Sequence, residues 1–96
     1  MKGYRFLPPA EEEMTEASLY YETASSGLGQ DFPDDLQRTV AAVREYSVIG
    51  QPAGRGFRQT PFRRFPFLLI YVEVKEDIVV VAVAHQRRRP GYWGGR

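Results

Sequence analysis

The side chains best suited to chemistry lie close together near the end of this chain: His85, Arg87, Arg88, Arg89 and Tyr92. A histidine can give or take a proton near neutral pH. Arginines can hold a phosphate or stabilise one in transfer. A tyrosine can stack on a base or position a phosphate. Together they suit ribonuclease chemistry in which a 2′-hydroxyl attacks the neighbouring phosphate. Arg58, Arg63 and Arg64 add cations from an earlier stretch. Each feature also has a plainer reading. His85 could be a strand-end residue bonded to backbone. The arginine run could be a solubilising cluster that protects a sheet edge. Tyr92 and Trp93 could pack a tail over that edge. The same arginines could instead grip an acidic protein.

The elements that must position these groups lie just upstream. Phe67 to Val74 and Ile78 to Ala84 are nearly unbroken runs of β-branched, aromatic and aliphatic residues, interrupted by Lys75, Glu76 and Asp77. The pattern predicts an antiparallel hairpin. Strands this apolar need cover on at least one face. Arg63 and Arg64 precede the first strand and Arg87 to Arg89 follow the second, so a hairpin makes them neighbours in space.

Composition narrows the classes. The chain has 96 residues, 43% hydrophobic and 26% charged, with no cysteine and one histidine. These are values for one folded soluble domain, residues 1–96. A disulfide framework is excluded, and neither a metal site nor a cofactor is expected. No stretch approaches the roughly 20 apolar residues of a membrane span, and no signal-peptide core is seen, so the expected compartment is the cytoplasm, with no membrane contact. The net charge of +1 hides an asymmetry: residues 1–54 carry four cations and nine anions, residues 55–96 nine cations and three anions. One face is thus suited to a polyanionic or acidic partner.

Along the chain, Tyr4 to Leu7 reads as a short strand stopped by Pro8 and Pro9. Pro9 suits a first helical turn, and Ala10, Met14, Ala17, Tyr21 and Ala24 form one helical stripe to about Thr23. Glu11, Glu12 and Glu13 read as a helix-start cluster on a solvated face. Gly27 is a natural left-handed stop. A second helix follows from Leu28, with Pro33 expected in its first turn and Phe32, Leu36, Val40 and Val43 buried. The short link predicts an antiparallel helical hairpin. Val48 to Gly56 reads as a loop, Phe57 to Phe62 as a strand with Pro61 at an edge or bulge, and Pro90 to Arg96 as an extended tail with Tyr92 and Trp93 docked. The expected class is α+β in the order β-α-α-β-β-β, a helical hairpin packed on a mainly antiparallel sheet. Gly27-Leu28-Gly29 lacks the third glycine and preceding strand of a dinucleotide fingerprint, and Gly50 to Gly56 lacks the ending of a phosphate loop.

Three stretches, YYETASSGLGQDF at the helical hairpin, RRFPFLLIYVEV at the turn and strand, and VVVAVAHQRRRPGYW at the end, taken in this order and length, resemble the RelE/ParE superfamily of bacterial toxins from type II toxin–antitoxin modules, the plasmid-stabilisation type. The likeness covers nearly the whole chain. It implies a growth inhibitor neutralised by a cognate antitoxin that wraps it with a helix and an extended strand. It also implies one of two targets. RelE-like members are endoribonucleases that cut messenger RNA on the ribosome; ParE-like members poison DNA gyrase and need no nuclease site. An inactive orphan binding module is the remaining alternative. The resemblance places Arg64, Arg88 and Tyr92 where nuclease members have functional groups. With His85 they make the candidate catalytic set; Arg58, Arg63, Arg87, Arg89 and Trp93 are the candidates for substrate binding. The chain departs from the nuclease pattern in its lysines: only Lys2 and Lys75 are present, neither at a promising place.

Overall fold

The computed structural model describes residues 2–96. In chain order the elements are β1 (Tyr4–Phe6), α1 (Pro8–Ala24), α2 (Leu28–Glu45), a 3-10 turn (Ser47–Ile49), β2 (Gln51–Pro52), β3 (Arg58–Pro61), β4 (Phe67–Val74) and β5 (Asp77–His85). The strands form one sheet in the order β1-β5-β4-β3-β2. β1, whose place the sequence leaves open, runs parallel to β5, pairing Tyr4 with Ile78 and Phe6 with Val80. The other pairings are antiparallel.

The helices cover one face. Along α2, Phe32, Leu36, Val40 and Val43 recur at helical spacing and are all at most 1% exposed. From α1, Ala10 and Ala17 are buried, and Met14 and Tyr21 pack against the same core; Ala24, the last residue of the expected stripe, is exposed. Pro33 lies inside α2 rather than in its first turn. Backbone bonds from Gln30 and Asp31 to the Gly27 carbonyl, and from Gly27 and Gly29 N–H to the Glu22 carboxylate at 3.0 Å each, secure the start of the helix. They offset the one bond that Pro33 cannot donate. Gly27 itself adopts φ +95°, open to glycine without strain.

The β4–β5 ladder contains an irregularity that explains its unbroken apolar sequence. Ile70 pairs with Ala82 and Tyr71 with Val80, leaving Val81 as an extra residue. A bulge of this kind reverses the alternation of side chains. Ile78 and Val80 before it, and Val83 after it, therefore all join the core under the helices. Val81, Ala82 and Ala84 form a second cluster with Ile70 and Trp93.

That second cluster is closed by the tail. Pro90 to Arg96 is a succession of turns rather than an extended segment: Tyr92, Gly94 and Arg96 each donate a backbone bond to the residue three before, and Gly91 takes φ +81°. The coiling brings the Trp93 ring onto small residues of β5. The stretch expected as a loop from Val48 to Gly56 contains the short strand β2 and part of the 3-10 turn. Tyr71 fixes that region, its hydroxyl donating to the Ser47 carbonyl at 2.7 Å and accepting from Gly50 N–H at 2.9 Å. A Cβ at Gly50 would collide with the Tyr71 ring and hydroxyl. Pro61 sits past the reach of β2, where β3 is an edge and no ladder donor is needed. Among the described residues, no helix is long and apolar enough to cross a membrane.

Candidate functional site

The hairpin brings the two basic stretches to the same end of the sheet. Phe67 pairs with His85, and Gln86 N–H donates to the Pro66 carbonyl at 2.9 Å. The Arg63–Pro66 turn therefore lies beside the Gln86–Arg89 turn. Arg63, Arg87 and Arg89 are exposed there.

Arg64 and Arg88 are engaged within the protein. Arg64 Nη1 is 3.1 Å from Asp31 Oδ2 at the start of α2. Its backbone is held by Asp35, which is 0% exposed and whose Oδ2 accepts from the N–H groups of Arg64 at 2.9 Å and Phe65 at 3.0 Å. Arg88 Nη1 is 3.5 Å from Glu13 Oε2, and its guanidinium lies 3.9 Å over the Tyr92 ring. Arg64 thus leans toward α2 and Arg88 toward α1.

Glu13 gathers the remaining groups. Its Oε1 accepts from Val83 N–H at 3.0 Å and Arg96 Nη1 at 2.8 Å. Its Oε2 accepts from the Tyr92 hydroxyl at 2.5 Å and Arg96 Nη2 at 3.0 Å. Partial burial alone would raise the Glu13 pKa, but the bonds from Arg96, Tyr92 and the Val83 amide together outweigh it and hold the carboxyl below the ordinary glutamate value. Burial, then the hydrogen bond to Glu13, pushes the Tyr92 hydroxyl well above the ordinary tyrosine range. At neutral pH Tyr92 is a committed donor, poorly suited to shuttling a proton.

His85 is half-buried, edge-to-face with Phe67 at 5.1 Å between ring centroids. Its Nδ1 accepts from Arg87 N–H at 3.0 Å, so the neutral ring carries its proton on Nε2. His85 and Arg88 border a cavity of about 290 Å³ that is also lined by Ala17, Tyr20, Tyr21, Phe67 and Val83. Tyr20 is 69% exposed.

Two of the sequence candidates lie elsewhere. Arg58 pairs opposite Tyr71 and donates to the Gly50 carbonyl at 2.7 Å, four residues up the ladder from Phe67 and so roughly 13 Å away. Trp93 is 5% exposed and belongs to the second core cluster. Glu13 and Asp35 are the residues that sequence reasoning missed. Glu13 is not on the solvated face assigned to its cluster. Its signal was spacing: it lies three residues after Ala10 and four before Ala17, on the buried side of α1. Asp35 lies three after Phe32, beside the buried stripe of α2. No group of three or more side chains suited to holding a metal occurs among the described residues.

Over residues 4–90 the chain matches the family described as the ParE toxin of the type II toxin–antitoxin system, parDE. Among solved structures it is similar to a chain from the chromosomal ParDE TA system of P. aeruginosa, with a TM-score of 0.67 and 15% identity, covering 88% of this chain and 96% of that one. At that identity the likeness concerns the fold. None of the curated proteins matches the chain.

Proposed function

Because the chain belongs to the ParE toxin family of type II toxin–antitoxin systems, a branch of the superfamily its sequence resembles, we propose that it inhibits growth by binding DNA gyrase, without cutting RNA. Its membership in a toxin–antitoxin family gives it an antitoxin as partner. The proposed working face is the basic end of the sheet: Arg63, Arg64, His85, Arg87, Arg88 and Arg89. Tyr92 supports that face from behind.

One observation carries this choice. Three of the four groups proposed for nuclease chemistry already have partners within the fold. Tyr92 is spent on Glu13, Arg88 is paired with Glu13 and Arg64 with Asp31. Both lysines lie at the opposite end of the hairpin: Lys75 in the β4–β5 turn, and Lys2 on Glu73 at 2.6 Å. The eight residues of β4 separate that end from His85 by roughly 26 Å. A surface of partly paired, partly balanced arginines suits recognition of another macromolecule's surface better than phosphoryl chemistry.

The RNA reading keeps one favourable feature, His85 beside Arg88 at the cavity. Two assays on the purified protein separate the readings: DNA supercoiling by gyrase, and integrity of a messenger on translating ribosomes. Loss of supercoiling with intact messenger is expected. Messenger cleavage with normal supercoiling would overturn the proposal and restore His85 to a chemical role. Replacing Arg87, Arg88 and Arg89 together by alanine is expected to abolish inhibition of supercoiling.

A further inference from the structure

β1 is too short for the strand it accompanies. It pairs with β5 only from Ile78 to Val80, and Leu7 N–H to the Val80 carbonyl, at 2.9 Å, is the last backbone bond on that side. Beyond it the bulge at Val81 turns further backbone groups toward the open edge. Two side chains fill the place of a longer β1. Arg96 Nη1 donates to the Val81 carbonyl at 3.1 Å, and Glu13 Oε1 accepts from Val83 N–H at 3.0 Å. The two side chains are joined to each other at 2.8 and 3.0 Å. An ion pair drawn from α1 and the tail thus stands in for a strand.

The same carboxylate holds three of the side chains that follow β5. Tyr92 and Arg96 bond to it directly, and Arg88 pairs with it while stacking on Tyr92. Between Gln86, tied to Pro66, and Trp93, buried on the sheet, the turn that carries Arg87, Arg88 and Arg89 is held at its start by the Arg87 N–H bond to His85 Nδ1 and beyond it by the Arg88 and Tyr92 side chains, which both end on Glu13. The geometry points to Glu13 as the positioning residue of the basic face: it seals the β5 edge past β1 and sets the direction in which Arg87 to Arg89 project. Glu13 need not touch the target. Its effect on inhibition rests on the gyrase reading above, whereas its effect on the tail does not.

The test uses the full chain with Glu13→Gln, Tyr92→Phe and the pair combined, and Glu11→Gln, at an exposed position of the first turn, as control. Amide exchange is read by NMR and inhibition by gyrase supercoiling, both well below the unfolding midpoint. In Glu13→Gln the amide nitrogen faces other donors, so Val83 and the tail amides are expected to exchange about tenfold faster or more. Leu69 and Ile70 should stay protected. Inhibitory potency should fall by a similar factor, with no correction on cooling. Tyr92→Phe added to Glu13→Gln should change little further, because both act through one cluster. Where Glu13→Gln fails to fold, Arg96→Gln is read for the same tail amides and potency. Protected Val83 and tail amides, strict additivity of the two substitutions, or full potency with a freed tail would each overturn the assignment. If the wild-type chain leaves gyrase untouched, the proposed function fails, and the exchange data alone decide the role of Glu13.

Discussion

Asp35 offers the sharpest quantitative test of how the basic face is built. Its carboxylate is fully buried, and one oxygen, Oδ2, accepts both backbone N–H groups of the Arg64–Phe65 turn. The other, Oδ1, is 3.6 Å from Arg38 Nη2, within ion-pair range but beyond a hydrogen bond. Asp35→Ala removes the acceptor and leaves the buried Phe65 N–H and the partly buried Arg64 N–H without partners. Each orphaned donor costs about 1–3 kcal/mol, so the change should cost roughly 2–5 kcal/mol. In a chain of 96 residues this lowers the melting temperature by roughly 10–30 °C. Asp35→Asn keeps a carbonyl oxygen for both donors, removes the charge that Arg38 serves weakly at that distance, and puts a buried amide nitrogen where Oδ1 stood. It should cost about 1–2 kcal/mol. The gap between the two variants, measured by urea unfolding with unchanged slope, isolates the acceptor from the charge. Equal losses for Ala and Asn would refute the reasoning. So would an alanine variant within about 3 °C of the wild type.

Two further predictions follow from the tail. Trp93→Ala opens a cavity against Ile70, Val81, Ala82 and Ala84, and should cost about 3–5 kcal/mol in chemical unfolding; a loss below about 1 kcal/mol would mean that the tail is not part of the core. Glu13 titrates below its ordinary value of 4.5 in the folded chain, so the fold favours its charged form. That contribution is fully present above pH 4.5 and is lost as pH falls through the lower folded value. Glu13→Gln should therefore flatten the acid limb of the stability profile between pH 4.5 and lower pH, and an unchanged limb would contradict the assignment.

The core was legible in the sequence because its signals are periodic. Phe32, Leu36, Val40 and Val43 announce a buried helical face. The runs flanking Lys75 to Asp77 announce a hairpin, and the hairpin is enough to bring Arg63 and Arg64 near Arg87 to Arg89. What the sequence hid depends on contacts between distant residues. The parallel placement of β1 is set by how the helical hairpin returns the chain to the sheet. The bulge at Val81 leaves no trace in a run where every residue is apolar. The partners of Glu13 lie 70 or more residues away, so composition gave it the plain reading of a solvated helix start. Asp35 was masked in the same way, as one acid among several at the start of α2. The turns of the tail follow from glycine conformations and Trp93 packing, neither of which has a repeat to read.

The distribution of partners also bears on how such a face can work. A phosphate-transfer centre needs cations whose charge is free to meet the charge that develops in the transition state, and a proton carrier that titrates near neutrality. Here Glu13 receives the side chains of Arg88, Tyr92 and Arg96, while Asp31 takes that of Arg64. To the extent that these pairings hold the long side chains in place, they lower the cost of ordering them before an encounter. They also reduce the field that each guanidinium presents. Recognition of an extended partner gains more from the first effect than it loses from the second, since shape and register decide its affinity. A nuclease loses by the second directly. On the proposed reading, Arg63, Arg87 and Arg89, exposed beside this paired set, would supply the long-range attraction that the paired arginines give up.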